Sequence, residues 1–473
     1  MSAQVADNNC PGGCSCSRLR VEIEIKRHYT YKVYTPGSLI CGHVAIHTPS
    51  DLVLHDIDIA FIGSAATRNF VQPDPVCATK PFMKLSMPID SASFPAGHVF
   101  KAGSVYTVPF HFVVPAQLLA SSCRHRCSNA AVRERHLRLP PSMGFSPGND
   151  QSPDEASIVY SIIATGTRYL SEPPVPVRLF EAYRTIRILP TSPEDAPLDI
   201  AADNGRYVLS KTQCLWRTFF AGREGTLTAS ASQPKAVMLS ADETAASRSL
   251  VRLTLTFTPA SSDNATPPRV KAVSAKMITT TFFDVSPLGR LPSIETWARS
   301  EDAPFQHSTS YKLFDEQVEG LLVWTEDADE TAETPEPELQ RRRASYPVDS
   351  GRAPNRRETL TRRRTSEHQG SRPAACFTSA IDIRFSIPGD RSISFLPSFD
   401  SCLISRAYCL RLAVSLGAAH SSLVLKLPLQ IGVQGAVPET LRAGAADDES
   451  ERNRTRHMAA ARYNVLPEYS VVL

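Results

Sequence analysis

A chain of 473 residues, 42% hydrophobic and 21% charged, can bury a sizeable core and is long enough for roughly two to four domains. Its formal net charge of only +3 argues against a general affinity for nucleic acid. It holds no run of about 18 apolar residues that could cross a membrane as a helix, and its eleven scattered cysteines, odd in number, read as reduced thiols rather than a disulfide framework.

Residues 1–17 read as a disordered tail, and with no apolar leader core in residues 1–20 a cytosolic protein is expected. The tail carries the one dense cysteine cluster, CPGGCSC at 10–16; lipidation of Cys10, Cys14 or Cys16 stays open, and a plain thiol-bearing tail is the reading adopted. From residue 18 apolar and polar residues alternate with the period of a half-buried strand. RLRVEIEIK (18–26) places Leu19, Val21, Ile23 and Ile25 on one face, and Pro36-Gly37 marks a turn before the next strand. LHDIDIAFIG (54–63) turns Ile57, Ile59 and Phe61 inward and leaves Asp56 and Asp58 to solvent. VYTVPFHFVVP (105–115) alternates from Tyr106 to Val114, NAAVRERHL (129–137) predicts a short helix, and SIVYSIIATGTR (157–168) with YRTIRILP (183–190) completes a first β set.

Residues 191–206, rich in Pro, Asp and Ala, read as a linker between domains at 18–190 and 207–433. In the second set VRLTLTFTP (251–259) points Val251, Leu253, Leu255 and Phe257 inward, and strands are expected at 316–324, 381–388, 408–416 and 423–433. Pro428 cannot donate to a ladder, so its strand is expected at an edge or a bulge. Between them the pattern disappears: residues 325–338 hold seven acids and no base, and 339–366 hold nine arginines and two acids. Such blocks stay disordered, so 325–375 is read as an insert within the second domain; the strands after 376 are too few for a third. Residues 434–473 are read as a disordered C-terminal tail, with a thin-faced helix as an option over 448–463.

Three stretches carry a family resemblance: YTPGSLICGHVAIHTPSDLVLHDIDIAFIGSAATR (34–68), VPAQLLASSCRHRCSNAAVRERHLRLPPSMG (114–144), and FLPSFDSCLISRAYCLRLAVSL (395–416) with LKLPLQIGV after it. In order and spacing they resemble segments of fungal alpha-arrestins, the arrestin-related trafficking adaptors. The resemblance implies an all-β fold of two tandem arrestin-like, immunoglobulin-type β-sandwich domains. It also implies a cytosolic adaptor, peripheral at the plasma membrane and endosomes. Such an adaptor recognises cytoplasmic segments of membrane transporters or receptors and recruits a HECT-class ubiquitin ligase for their ubiquitination and endocytosis. WW domains of such ligases bind PPxY or LPxY segments. This chain has no PPxY; its one match is LPEY, where Pro467 would stack in the aromatic groove, Tyr469 enter the adjacent pocket, and Leu466 stand where the stronger motif has proline. A ligase-independent sorting or signalling scaffold with an arrestin or retromer-subunit-like fold is the alternative.

The arginine-rich insert offers three basophilic phosphorylation motifs, RRRAS at Ser345, RRET at Thr359 and RRRTS at Ser366, with 14-3-3 proteins as readers or anionic lipid headgroups as an alternative partner. CRHRC (123–127) with His136 offers two thiols and two imidazoles, the ligand types of a structural zinc site. Its spacing is tight and no second cysteine pair follows, so packing within a loop-and-helix connection is the reading adopted, with no metal and no cofactor expected. No nucleophile elbow, phosphate-cradling glycine loop or HExxH occurs, and a non-enzyme is expected.

Overall fold

Alternation in the sequence becomes strand in the structure. The computed structural model describes residues 19–435 apart from 70–75, 90–93, 145–148, 171–173, 192–194, 196–197, 201–203, 217–221, 241–245, 262–265, 293–302, 321, 328–375, 388–392 and 417–421. The first half forms β1 (Arg20–Ile25), β2 (Val33–Tyr34), β3 (Leu39–His47), β4 (Leu52–Val53), β5 (Asp56–Asn69), β6 (Val76–Met87), β7 (Val99–Phe100), β8 (Val105–Val113), β9 (Ala156–Leu170) and β10 (Val175–Ile188). Between β8 and β9 stands α1 (Ala130–His136), the one α-helix among the described residues. The second half forms β11 (Ser210–Trp216), β12 (Arg223–Ala231), β13 (Val237–Leu239), β14 (Arg248–Pro259), β15 (Ala272–Phe283), β16 (Phe305–Gln317), β17 (Thr325–Asp327), β18 (Cys376–Ser386), β19 (Phe399–Asp400), β20 (Ile404–Ser415), β21 (Leu423–Leu429) and β22 (Ile431–Val433).

Two β-sandwiches result. In the first, a three-stranded sheet ordered β1-β3-β8 faces a five-stranded sheet ordered β2-β10-β9-β5-β6. Val21, Ile23, Val44 and Phe112 from one sheet and Ile59, Phe61, Tyr160 and Ile162 from the other join in a single buried cluster. The Phe61 ring lies about 6 Å from those of Phe112 and Tyr160 along that core, the spacing of tilted aromatic packing. In the second, the sheet β11-β12-β14-β18-β17 packs on β16-β15-β20-β19, with β21 also paired to β20. Val251, Leu253, Leu255 and Phe257 of β14 point inward as their parity requires and meet Met277, Leu410, Leu412 and Leu425. Each such side chain taken fully out of water contributes about 1.5–3 kcal/mol before the entropy cost of ordering it.

Pro428 sits where the backbone tolerates it: β21 is laddered only to β20, where Pro428 faces Cys409, and its other side carries only an isolated bridge from Lys426 to Val208. The predicted helix also forms; Asn129 caps it by accepting a hydrogen bond from the Val132 amide. The strand expected over 316–324 does not form. β16 ends at Gln317, and Gly320, at a φ of +80°, turns the chain in a conformation that most side chains disfavour. Val318, Leu322 and Trp324 were apolar for a different reason: they cover the second core from a loop. The first three residues of the expected insert, 325–327, are in turn the strand β17, paired with β18.

Burial sets one pH limit. The Tyr408 hydroxyl donates to the Leu396 carbonyl at 2.6 Å in the second core. Desolvation pushes its phenol up to about 12, against a smaller opposing pull from the Arg406 guanidinium. A phenol raised above its unfolded value contributes stability that is complete below about pH 10 and lost as pH climbs to the folded value. The unfolding free energy is therefore expected to fall above about pH 10, with about 2–3 kcal/mol of that loss due to Tyr408. Denaturant titrations at stepped alkaline pH check this, and a Tyr408→Phe variant should show a shallower slope.

Candidate functional site

The chemistry-bearing side chains gather where the two sandwiches meet. Arg406 begins from β20 with an exposure of 1%, the largest fully buried side chain of the chain's described part. Its Nη1 donates to the Asp150 carbonyl at 2.7 Å and its Nη2 to Ser152 Oγ at 2.9 Å, both in the loop before β9 of the first sandwich. On its own side, Nε and Nη2 donate to Thr281 Oγ1 at 3.2 and 3.0 Å. The loop is built to receive the guanidinium. The Asp150 carboxylate accepts from the Gly144 and Ser152 amides, and Gln151, at a φ of +60°, accepts from Thr309 Oγ1 across the seam.

Further bonds run the length of the seam. Thr67 Oγ1 donates to the Asp284 carbonyl, the Ser128 amide to the Gly289 carbonyl, and Arg187 Nη2 to Ser394 Oγ. Phe283, Leu396, Leu403 and Ile404 of the second half complete the first core. Arg135 reaches both Asp400 at 3.3 Å and Asp195 at 3.7 Å, while Arg138 holds Asp195 at 3.0 Å. The stretch 191–206 thus bears on the seam at Asp195, and also at Arg206, whose guanidinium lies 4.3 Å from the Phe282 ring centroid. The cleft beside α1 is lined by Glu134, Arg135, Arg138, Asp195, Phe399 and Asp400 among others, so two cations and three carboxylates share it.

Against Cys402 at this seam lies a second constellation. The ligand-type atoms of Cys123, His125, Cys127 and His136 all fall within 4.8 Å of one another. Cys123 Sγ is 3.4 Å from His125 Nε2, 3.7 Å from Cys127 Sγ and 3.8 Å from His136 Nδ1, and Cys127 Sγ is 3.9 Å from His136 Nδ1. A turn at Ala120–Ser122 aims Cys123 inward, and α1 ends on His136, so the helix carries the second imidazole back to the loop. Cys123 and His136 are buried, at 0% and 2% exposure, while His125 and Cys127 are half-buried. Desolvation, then His125 and Lys80, pull His136 down to about 4. Desolvation also lowers His125 and raises Cys127 to about 11.

No protein-family model and no curated protein matches this chain.

Ser345, Thr359, Ser366, Leu466, Pro467 and Tyr469 all lie outside the described residues. Their stems are visible: the insert leaves from β17 and returns at β18, and Asp327 pairs with Cys376 across the gap. The last described strand, β22, is tied to β13 in parallel, so the tail departs from a fixed point on the second sandwich. Arg406 was not singled out by sequence reading, although parity gave the signal: Ile404, Tyr408, Leu410, Leu412 and Val414 are its inward-facing companions. CRHRC and His136 were read together, and the geometry unites them. Among the described residues no helix is long and apolar enough to cross a membrane.

Proposed function

We propose that the chain is a non-catalytic, arrestin-like adaptor that binds cytoplasmic segments of membrane transporters or receptors and brings a HECT-class ubiquitin ligase to them. The observation that carries this reading is the seam. Two sandwiches joined through Arg406 and a shared apolar border form a frame with long exposed edges and loops, suited to docking. The three resembling stretches form the parts that build this frame: β3 to β5, the seam connection with α1, and β19 to β21. β16, paired with β15 alone and with mostly exposed side chains, is one edge on which an extended cargo peptide could add as a strand.

In this reading Leu466, Pro467 and Tyr469 engage a WW domain of the ligase, and the tail's tether raises the local ligase concentration at bound cargo. Phosphate at Ser345, Thr359 or Ser366 adds about −1.5 to −2 charge per site to an arginine-rich segment and creates a 14-3-3 ligand or releases the segment from anionic lipid. Immobilised tandem WW domains are expected to retain the wild-type chain and to lose Tyr469→Ala. Equal retention of the two would remove the ligase from the scheme. Cargo uptake unchanged after deletion of 460–473 would favour the ligase-independent scaffold, a reading to which the single LPEY gives some weight.

A further inference from the structure

We propose that Cys123, His125, Cys127 and His136 bind one structural zinc ion, through both cysteine sulfurs, His125 Nε2 and His136 Nδ1. Tetrahedral zinc with bonds of about 2.3 Å to sulfur and 2.0–2.1 Å to nitrogen requires edges of about 3.8 Å between sulfurs and about 3.6 Å between sulfur and nitrogen. The sulfur pair here is separated by 3.7 Å, and three of the four sulfur–nitrogen edges are 3.4, 3.8 and 3.9 Å. These four edges already come within about 0.3 Å of those the ion would impose, and all four atoms fall within 4.8 Å of one another. Two sulfurs and two imidazoles select zinc over magnesium or calcium, which require oxygen ligands.

The surroundings fit as well. His125 Nδ1 lies 3.2 Å from the Arg126 carbonyl; with the proton donated there, Nε2 keeps its lone pair for the metal, the usual outer hydrogen bond of a histidine ligand. Two thiolates cancel the charge of the ion, so the filled site leaves no net charge under the seam. Unmetallated, the same place holds two buried and two half-buried polar groups whose sulfur contacts are long and weak hydrogen bonds.

The segment needs such a staple. The described residues between β8 and β9 hold one three-residue turn and a seven-residue helix, far shorter than the ~12–15 residues a helix needs to persist alone. Around the four ligands the segment still touches the second sandwich, through the Ser128 amide on the Gly289 carbonyl, Arg135 on Asp400, and Cys402 Sγ on the Ser122 carbonyl at 3.9 Å. The ion would hold the seam connection rigid, and its removal would loosen one sandwich against the other.

The test uses the full-length, untagged chain, stripped by chelator under reductant and given zinc. Mass spectrometric elemental analysis is expected to find about one zinc per chain. Cobalt(II) in its place is expected to give the visible bands of a tetrahedral ion and a thiolate charge-transfer band. Zinc content should fall at least about threefold in Cys127→Ser and His136→Gln, and in His125→Gln, whose half-buried position lets the variant fold without the ion if the buried one does not. Cys402→Ser should keep its zinc. A reduced wild-type chain that takes up less than about one-tenth of an equivalent overturns the proposal, whether or not any variant folds. So does a cobalt spectrum without thiolate character, or a Cys123–Cys127 disulfide that forms in place of metal uptake. Loss of zinc in Cys402→Ser overturns this ligand set.

Discussion

Replacing Arg406 with alanine is expected to lower the unfolding free energy by about 3–5 kcal/mol and to split a joint denaturation curve into two steps. The guanidinium is buried and bonded on both sides of the seam, to the Asp150 carbonyl and Ser152 Oγ in the first sandwich and to Thr281 Oγ1 in the second. Truncation leaves those acceptors without a donor where water is excluded, and each orphaned group costs about 1–3 kcal/mol. It also opens a void the size of an arginine side chain, which close packing cannot refill. The rest of the seam, including the Thr67–Asp284 and Arg187–Ser394 bonds, then has to couple the two cores unaided. Arg406→Lys separates the two causes. It keeps a charge and much of the volume but loses the planar fork that serves three partners at once, so an intermediate loss is expected. Urea titration followed by circular dichroism and by tryptophan fluorescence measures both effects. An Arg406→Ala curve superimposed on wild type would mean that the guanidinium does not join the two halves.

What could be read in advance follows from which faces are buried and how apolar they are. β5, β8 and β14 were legible because one face of each carries large apolar residues at every second position, as in Ile57, Ile59 and Phe61. β15 was not. Its inward face runs Val273, Ala275, Met277, Thr279 and Thr281, too small and polar to stand out, yet it lies at the centre of its sheet between β16 and β20. β6 and β16 were hidden for the opposite reason, since outer strands with mostly exposed ends need little alternation. EQVEGLLVW misled because a loop that roofs a core needs apolar residues as much as a strand does, and no local rule separates the two. At the seam, both histidines and both cysteines of the four-residue cluster could be named from the sequence. Their convergence depended on how tightly α1 ends and on a turn at Ala120–Ser122, neither of which spacing reveals. Arg406 lay in plain parity with its apolar companions, but a charged residue in a strand is ordinarily assigned to solvent, and only the receiving loop at 149–152 explains why this one is not.

Gly42→Val is expected to cost at least about 3 kcal/mol, the upper end of overpacking, because here a glycine is what lets two strands and a ring share one place. Gly42 lies in the middle strand of the three-stranded sheet, opposite Ile25 of β1 and Phe110 of β8. It faces the core, and the Phe110 ring, 2% exposed, lies across it. A Cβ built there falls well inside contact distance of the Glu24 carbonyl oxygen and 2.7 Å from Phe110 Cζ. The ring could swing aside, but Phe112 at 5.9 Å and the chain of rings behind it leave it little room. The carbonyl belongs to the backbone of β1 and moves only with the strand. Two substitutions divide these contributions. Gly42→Ala should already be strongly destabilising, and adding Phe110→Leu should recover only part of the loss, since the clash with Glu24 survives. Gly205→Ala supplies the contrast: nothing lies within 4 Å of its added Cβ, and a change within about 0.5 kcal/mol is expected. Thermal melts of the four variants decide the matter; a Gly42→Ala chain as stable as wild type would mean that β1 and β3 do not run in the register that sets Ile25 opposite Gly42, on which the inward face of the whole first sandwich depends.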